Sequence, residues 1–437
     1  MINTILYLFY LFLIYIALKK VSFFKNSTLS IYFLVLFLGL KIVSSFFMYA
    51  LYSYYYQDRS TADIFKYFDD ANILYSQLFL KHPIEYIKLT LGIQQESHLI
   101  YESLQQTNFW YKPREFNIYN DNRTIIRLNM IIRMFSNNCY HIHSLVITFI
   151  SFIGLVSIHK TFLFFFNKSS SLVACSIFLI PSVIFWSSAN LKEGLLIGAI
   201  GIFIWMFTQF LHLKNTINRN IILVITLIIS SSTLAVIKPY ILIVSIPSII
   251  AWSIVQIAST KKTFLIFVIT HLLFIISGLT IHKVIPSINI VQNITFKNND
   301  FINVANDTKA GSSFSINKLD GSITSIVKNT FHAFINNFIR PFPTECNSIL
   351  VTLTCIENYI IILLIIYSLY CLIKYKKSLH PIQFYSFFMT LLLGILIGLI
   401  VPVFGASVRY KIPYLPFLIP SLILLLSKST QKITCKK

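Results

Sequence analysis

Long apolar runs separated by short polar connections set the pattern of this chain. Each run of about 17 to 25 residues is long enough to cross a hydrocarbon core of roughly 30 Å as a helix. Eleven such windows cover residues 3–19, 28–52, 142–158, 171–187, 193–210, 221–236, 240–257, 263–281, 355–373, 383–404 and 412–428. The alternating segments of a membrane β-barrel are absent from the sequence. The pattern predicts an all-α integral membrane protein of about 11 transmembrane helices, forming a single polytopic membrane domain over residues 1–437.

Composition agrees with this prediction. Hydrophobic residues make up 56% of the 437 residues, charged residues 12%, and a soluble globule of this size needs more polar surface. The first apolar stretch, Ile5 to Leu18, lacks a basic region before it and a small-residue cleavage site after it. We therefore expect a retained span there and not a secretory signal.

Charge along the chain predicts the orientation. Every second connection is basic: residues 19–25, 160–168, 214–219, 261–262, 374–377 and the tail 428–437. These segments hold 16 of the 36 Lys and Arg residues and none of the 15 Asp and Glu residues. By the positive-inside rule they are cytoplasmic, which predicts an external N-terminus and a cytoplasmic C-terminus. The net charge of +21 then reflects membrane orientation and not nucleic-acid binding.

Two long segments fall on the predicted external side, at about residues 53–141 and 282–354. Each contains amphipathic stretches, which predict interfacial helices at residues 71–93, 124–135 and 322–339. Five polar groups share this predicted side: Asp69-Asp70, Lys192-Glu193, Lys238-Pro239-Tyr240, Arg340-Pro341 with Glu345, and Arg409-Tyr410-Lys411. A single site at the outer membrane surface would gather them, although solvated loops would also share one side.

Asp69 and Asp70 are the candidate catalytic residues, with Asp63 a weaker third candidate. A carboxylate at this position can act as the general base that activates an acceptor hydroxyl. The structural alternative is a helix N-cap, because the pair directly precedes the amphipathic stretch 71–93.

Lys192 and Glu193 lie in a short polar hairpin between two apolar spans. As site residues, Lys192 would bind a phosphate and Glu193 would orient a sugar hydroxyl or a basic side chain. The structural alternative is a capping arrangement of Asn190 with Glu193, with Lys192 extending to the membrane interface.

Four further basic residues, Lys238, Arg340, Arg409 and Lys411, are candidate phosphate-binding residues. Each lies beside a span on the side that a positive-inside protein disfavours for cations. Arg offers a planar fork suited to phosphate, and cations around a leaving phosphate stabilise its charge. The alternative is ordinary interfacial anchoring.

Two other features need partners that the sequence does not name. Lys41 lies mid-span, which costs about 2.5 to 3.5 kcal/mol on insertion scales, so it should face the bundle interior. Its partner is either a carboxylate or a backbone carbonyl. Cys346 and Cys355 can pair if their side of the membrane is oxidising, but their spacing alone does not decide this.

Motifs for other chemistries are missing from the sequence. It contains no Walker loop, no GxGxxG, no HExxH and no GxSxG, and its six cysteines form no CxxC. We therefore predict no cofactor. Carboxylates and phosphates together bind Mg²⁺, so a divalent metal is compatible with the site but not required.

Four stretches carry a family resemblance: YFDDANILY at 67–75, PSVIFWSSANLKE at 181–193, RPFPTE at 340–345 followed by Glu357, and GASVRYKIPYLPF at 405–417. Together they resemble multi-pass proteins of bacterial surface-polysaccharide clusters and, more broadly, the GT-C superfamily of polyprenyl-phosphate-dependent glycosyltransferases. In that superfamily an acidic residue of the first long external loop serves as base, which maps onto Asp69 or Asp70. The match requires one extra N-terminal helix here. The chain's size and paired external loops also resemble O-antigen polymerases.

These resemblances imply a membrane glycosyltransferase in the bacterial cytoplasmic membrane. It would transfer a sugar or oligosaccharide from a polyprenyl phosphate or diphosphate donor to a glycan or lipid-linked acceptor at the external face. Both families leave the sugar, the acceptor and the oligomeric state open. The alternative from a different class is a transporter or flippase of lipid-linked glycans, for which mid-span Lys41 is the one hint.

Overall fold

A computed structural model describes residues 1–56, 59, 62–93, 98–111, 120–166, 170–213 and 216–426. It is 80% helical, and the described part contains no β-strand apart from one isolated bridge between Ser313 and Val403. The predicted cytoplasmic tail at 428–437 lies outside the described residues, as do Lys168 and Lys214 of two predicted cytoplasmic connections.

Twenty α-helices make up the described chain. They are α1 Ile2–Lys20, α2 Ser22–Lys25, α3 Ile31–Ala50, α4 Asp63–Leu74, α5 Pro83–Leu91, α6 His98–Gln105, α7 Asn122–Ser136, α8 Tyr140–Phe165, α9 Ser170–Phe178, α10 Pro181–Trp186, α11 Lys192–His212, α12 Ile217–Ile237, α13 Pro239–Ile257, α14 Thr263–Thr280, α15 Ile290–Asp307, α16 Ile323–Phe334, α17 Ile349–Lys374, α18 Pro381–Ile400, α19 Phe404–Lys411 and α20 Leu415–Leu426. Short π-helical or 3₁₀ segments occur at Leu51–Tyr55, Tyr75–Phe79, Ile281–Lys283, Ile335–Ile339 and Pro343–Glu345.

Nine helices of the described chain are long and apolar enough to cross a membrane: α1, α3, α8, α11, α12, α13, α14, α17 and α18. A tenth span is formed if α19 and α20, which meet at a bend of 67°, count as one. These helices confirm an all-α, multi-pass membrane protein. The count of eleven is not confirmed, because the predicted span 171–187 forms two short helices, α9 and α10. Pro181 is the first residue of the second helix, a position at which proline is well tolerated.

The long segments between spans are also helical. α7 contains the predicted amphipathic stretch 124–135, and α16 with the π-helical turn Ile335–Ile339 contains most of 322–339. The prediction of one helix over 71–93 is wrong in its boundaries, because α4 begins eight residues earlier and α5 follows a break at residues 80–82.

The chain divides into two compact units, each discontinuous in sequence. Unit 1 comprises Met1–Thr161, Val183–Phe210 and Lys214–Pro239, and unit 2 comprises Phe162–Ser182, Leu211–Leu213 and Tyr240–Lys437. The single membrane domain stays a prediction.

In unit 1, glycines bring α8 and α11 into backbone contact. Gly194, Gly198 and Gly201 lie on one face of α11, and Gly154 faces them from α8. A Cβ at Gly154 would overlap the Ile197 carbonyl, and a Cβ at Gly201 would overlap the Gly154 carbonyl. Small residues permit such close approach of membrane helices. This contact positions α11, whose first two residues are Lys192 and Glu193.

The first long segment packs into an apolar core of unit 1 that it shares with Ile147 of α8, Leu195 of α11 and Ile237 of α12. One buried cluster contains Tyr67 and Leu74 of α4, Tyr86 of α5, Trp110 of the connection after α6, and Met130 of α7. α4 and α7 pack against each other, so the acidic face of α4 is held in a fixed position.

Candidate functional site

Asp69 and Asp70 lie inside α4, which begins at Asp63. The N-cap interpretation of the pair is therefore wrong, since neither residue is near the start of a helix. The apolar positions of α4 continue the helical pattern through the acidic pair, because Phe65, Phe68 and Ala71 are buried on the inner face.

Asp69 is partly exposed and paired with an arginine. Its Oδ2 accepts a hydrogen bond from Arg59 Nε at 2.9 Å, and its Oδ1 accepts one from Arg59 Nη2 at 2.6 Å. The guanidinium also lies 4.1 Å from the centre of the Phe65 ring. The Asp69 side chain is 32% exposed. This carboxylate is oriented by a fork of two donors and remains partly exposed.

Asp70 is fully buried and bound by backbone amides. Its Oδ1 accepts from the Asn108 N–H at 3.0 Å and its Oδ2 from the Phe109 N–H at 2.9 Å. Burial raises the pKa of Asp70 to about 6, although these amide hydrogen bonds act to lower it. Asp70 therefore ties α4 to residues 108–110, which lie just after α6.

The hairpin Ser187–Leu191 before α11 is anchored to three helices of unit 1. Lys41 Nζ of α3 donates to the Ser187 carbonyl at 3.2 Å and to Ser187 Oγ at 2.7 Å. Thr148 of α8 donates to the Ser188 carbonyl at 2.8 Å. Asn190 Nδ2 donates to the Ile64 carbonyl of α4 at 3.3 Å, and its Oδ1 is buried without a hydrogen-bond partner, so Asn190 does not cap α11. The partner of Lys41 is a carbonyl and a hydroxyl.

Lys192 lies inside the fold and does not extend to the surface. Its ammonium group lies 2.5 Å from Asp121 Oδ2 and 2.6 Å from Asn122 Oδ1, and 5.5 Å from the centre of the Tyr67 ring. Only 10% of the side chain is exposed. Asp121 and Asn122 stand at the start of α7, so the first turns of α7 and α11 meet at this lysine.

Glu193 and Lys238 form a buried ion pair. Lys238 Nζ lies 3.0 Å from Glu193 Oε1, and the two side chains are 9% and 1% exposed, with Glu193 the less exposed. Lys238 directly follows the last residue of α12. A cation there is favoured by the negative end of the helix dipole, and a carboxylate near the start of α11 is favoured by its positive end.

Residues 108–110 connect the two halves of this arrangement. Their amides hold Asp70, while the Phe109 carbonyl accepts from Asn122 Nδ2 at 3.4 Å and the Trp110 carbonyl from Arg123 Nε at 2.9 Å. Acidic α4 and Lys192 are thus linked through the same three residues. We call this set the unit 1 cluster: Asp69, Asp70, Asp121, Asn122, Lys192, Glu193 and Lys238.

Unit 2 holds the remaining predicted site residues in a separate arrangement. Arg340 Nη2 lies 3.0 Å from Glu345 Oε1, and its Nη1 donates to Asn336 Oδ1 at 3.2 Å. Asn358 of α17 bridges two of the candidates: its Oδ1 accepts from Lys411 Nζ at 2.9 Å and its Nδ2 donates to the Arg340 carbonyl at 2.5 Å. Arg340 and Lys411 are therefore brought together within unit 2.

Two neighbours extend this arrangement. Glu357 accepts from Ser182 Oγ at 2.6 Å and from the Ser182 N–H at 3.1 Å. Arg409 is half-buried in α19, and the adjacent Tyr410 ring lies 6.3 Å from Tyr240 and 6.1 Å from Phe301. Tyr240 belongs to unit 2, whereas Lys238 belongs to unit 1, so the predicted group at 238–240 divides between them.

The sequence did not indicate Arg59, Asp121, Asn122 or Asn358. Asp121 and Asn122 directly precede the basic amphipathic stretch of α7, and that DN pair at a helix start was an available signal. Asn358 follows Glu357 inside an apolar span, where a polar residue is itself a functional hint.

No group of three or more His, Cys, Asp or Glu side chains within the described ranges could hold a metal ion. A metal bridging substrate phosphate and one carboxylate stays a prediction. No family model matches the chain, and neither a curated protein nor a solved structure matches it.

Proposed function

We propose that this chain is a membrane glycosyltransferase of surface-polysaccharide assembly, using a sugar or oligosaccharide donor linked to polyprenyl phosphate or diphosphate. The observation that carries the proposal is the unit 1 cluster. It contains an accessible carboxylate, Asp69, and two ammonium groups that are fixed at the ends of two apolar helices, α11 and α12. Lipid-linked sugar phosphates combine an apolar tail, an anionic headgroup and a sugar. The apolar helices would contact the tail, the ammonium groups the phosphate, and the carboxylate would serve the reaction at the sugar.

Asp69 is the proposed general base. It would accept the proton of the acceptor hydroxyl while the hydroxyl oxygen attacks the anomeric carbon and the bond from that carbon to the phosphate oxygen breaks. Arg59 holds the carboxylate through two hydrogen bonds and so fixes the direction in which it presents its oxygens. Asp70 is a positioning residue in this scheme, because its oxygens are engaged by buried backbone amides.

Lys192 and Lys238 would stabilise the negative charge that develops on the leaving phosphate. Both ammonium groups are fixed by carboxylates, Asp121 and Glu193, and preorganised cations need no reorientation as charge develops. Lys192 is also the first residue of the 21-residue helix α11, whose N-terminus favours anions. Glu193 would hold Lys238 in place, which corresponds to its predicted role of orienting a basic side chain.

Arg340, Arg409 and Lys411 are proposed as a second set of phosphate-contacting residues within unit 2. The bridge through Asn358 supports treating Arg340 and Lys411 as one group. We place the reaction at the external face of the bacterial cytoplasmic membrane, following the charge distribution of the connections.

A transfer assay tests the proposal. Membranes containing the full chain are supplied with a radiolabelled polyprenyl-linked sugar donor, and label entering the acceptor glycan is counted. Asp69→Asn should reduce transfer by about 10² to 10⁴-fold, the range of a lost general base. The matched control is Glu85→Gln, an acidic residue of the same segment that pairs with Lys88 on α5.

The result that refutes the assignment is a full rate in Asp69→Asn and in Lys192→Gln, with both variants inserted normally. The length of the glycan product then separates a polymerase, which yields a ladder, from a single-sugar transferase. Transfer that is unaffected by a chelator excludes a required divalent metal.

A transporter of lipid-linked glycans is the second candidate. The observation that favours it is the presence of buried or half-buried ionisable groups within spans, Lys41 in α3 and Glu357 in α17. A deletion strain discriminates between the two. Loss of a transporter leaves the lipid-linked intermediate in the cytoplasmic leaflet, whereas loss of an external transferase leaves it in the outer leaflet.

A further inference from the structure

The turn from Arg340 to Cys346 lies along the first turns of α17 in unit 2. Two side chains on one face of α17 donate to successive carbonyls of this turn. Asn358 Nδ2 donates to the Arg340 carbonyl at 2.5 Å, and Cys355 Sγ to the Pro341 carbonyl at 3.4 Å. Cys346 Sγ donates to the next carbonyl, Phe342, at 3.6 Å. The two cysteines are therefore anchored on neighbouring peptide groups.

The two thiols lie close to each other, because they donate to two successive carbonyls, Pro341 and Phe342. Both cysteines are present as free thiols. Cys355 is only 7% exposed, while Cys346 is half-buried. Cys346 borders a shallow surface depression of about 380 Å³, formed with residues 347–349, 352 and 353. Cys346 is therefore the more accessible of the two thiols, and Cys355 is the buried one.

We propose that Cys346 and Cys355 form an intramolecular disulfide by exchange with a small or protein-borne disulfide. The thiolate of Cys346 attacks one sulfur of the incoming disulfide and releases the first thiol. The thiolate of Cys355 then attacks Cys346 Sγ and releases the second thiol. The two cysteine protons pass to the two released thiols, and the incoming disulfide is reduced by two electrons.

The disulfide would join α17, through Cys355, to the turn that contains Glu345. Glu345 pairs with Arg340, whose carbonyl is already held by Asn358, so the disulfide adds a covalent tie to a turn held by hydrogen bonds. The predicted topology assigns this segment to the external side, where disulfides persist. The proposal does not depend on the proposed function.

Peptide mapping of the purified full chain tests it directly. The protein is equilibrated with a series of oxidised and reduced glutathione ratios, quenched with acid, alkylated and cut after glutamate. Cleavage after Glu345 and Glu357 gives the fragment 346–357, which contains Cys346 and Cys355 and no other cysteine. On the oxidised side this fragment should lose the mass of two hydrogens and take up no alkyl group. Its double alkylation should fall by at least about tenfold relative to the reduced sample, as for a disulfide that resists the glutathione pool.

Three variants complete the experiment. Cys346→Ser and Cys355→Ser should each leave the remaining cysteine of the fragment open to alkylation or to capping by glutathione. Cys371→Ser, at the other end of α17, should leave the closed fragment unchanged. The proposal is overturned if the wild-type fragment takes up two alkyl groups or two glutathiones at every ratio. It is also overturned if Cys346 stops at a mixed disulfide, or pairs with a cysteine outside the fragment.

Discussion

Adding a single methyl group at Gly154 should separate two helices of unit 1. A Cβ at this position would overlap the Ile197 carbonyl oxygen and approach the Gly198 backbone of α11. These are backbone atoms of a helix, so they cannot rotate away as a flexible side chain would. Gly154→Ala therefore forces α8 and α11 apart along the whole stretch from Gly194 to Gly201.

The size of the effect follows from the packing. Overfilling a well-packed contact costs about 1 to 3 kcal/mol, and we expect the upper end because the obstruction is backbone. Gly39→Ala is the matched control, since Gly39 also lies inside a membrane-spanning helix, α3, and a Cβ there would meet nothing within 4 Å. Alanine is favoured over glycine in a helix by roughly 0.5 to 1 kcal/mol, so this control should be stabilised.

Unfolding of the purified chain in mixed detergent micelles, followed by loss of helical signal with rising SDS fraction, measures both variants. Gly154→Ala should unfold at a lower SDS fraction than wild type and Gly39→Ala at an equal or higher one. The difference between the two variants should be about 3 kcal/mol, because the gain from replacing a helical glycine is common to both. Equal stability of the two variants would show that α8 and α11 do not touch through their backbones. Under the proposed function, glycan transfer by Gly154→Ala should also fall, because α11 carries Lys192.

Three further predictions concern buried charges. With its pKa raised by burial from 3.8 to about 6, Asp70 stabilises the fold below pH 4, and this contribution is lost as the pH rises through 6. In thermal unfolding, Asp70→Asn should flatten that pH dependence. Glu193→Gln or Lys238→Met alone should each lower the free energy of SDS unfolding by about 3 to 5 kcal/mol, and the double variant should lose less than their sum. Lys41→Met removes two bonds to Ser187 and should speed maleimide labelling of an Ala189→Cys reporter, whereas unchanged labelling would mean that Lys41 does not anchor the hairpin.

The sequence predicted most helical spans, because the length of an apolar run can be read directly from the sequence. It did not predict a break inside a run whose average composition is apolar. Residues 171–187 are mostly apolar, yet the chain forms separate helices on either side of residues 179–180. Gly194, Gly198 and Gly201 have the spacing of a helix-packing face. The sequence does not show which helix packs there, because the facing Gly154 belongs to another helix.

The site was predicted less completely, because its contacts join distant parts of the chain. Lys192, Glu193 and Lys238 were each singled out, and the structure pairs two of them. Asp121 is 71 residues from Lys192, and no periodicity connects the two. For Asp69 and Asp70, adjacency in sequence suggested one shared role. Their positions on α4 give them opposite environments, one paired at the surface and one enclosed by backbone amides.

The contact between Lys41 and Ser187 also bears on how the protein is made. The two residues are 146 positions apart, so a ribosome adding about 5 to 20 residues per second needs roughly 7 to 30 s to reach the serine after the lysine. During that interval α3 carries its insertion cost of about 2.5 to 3.5 kcal/mol without the hydrogen bonds of the folded state. Insertion of α3 in the bilayer is therefore less stable during synthesis than in the folded protein. It gains the hydrogen bonds of Lys41 only after the hairpin that contains Ser187 has been synthesised.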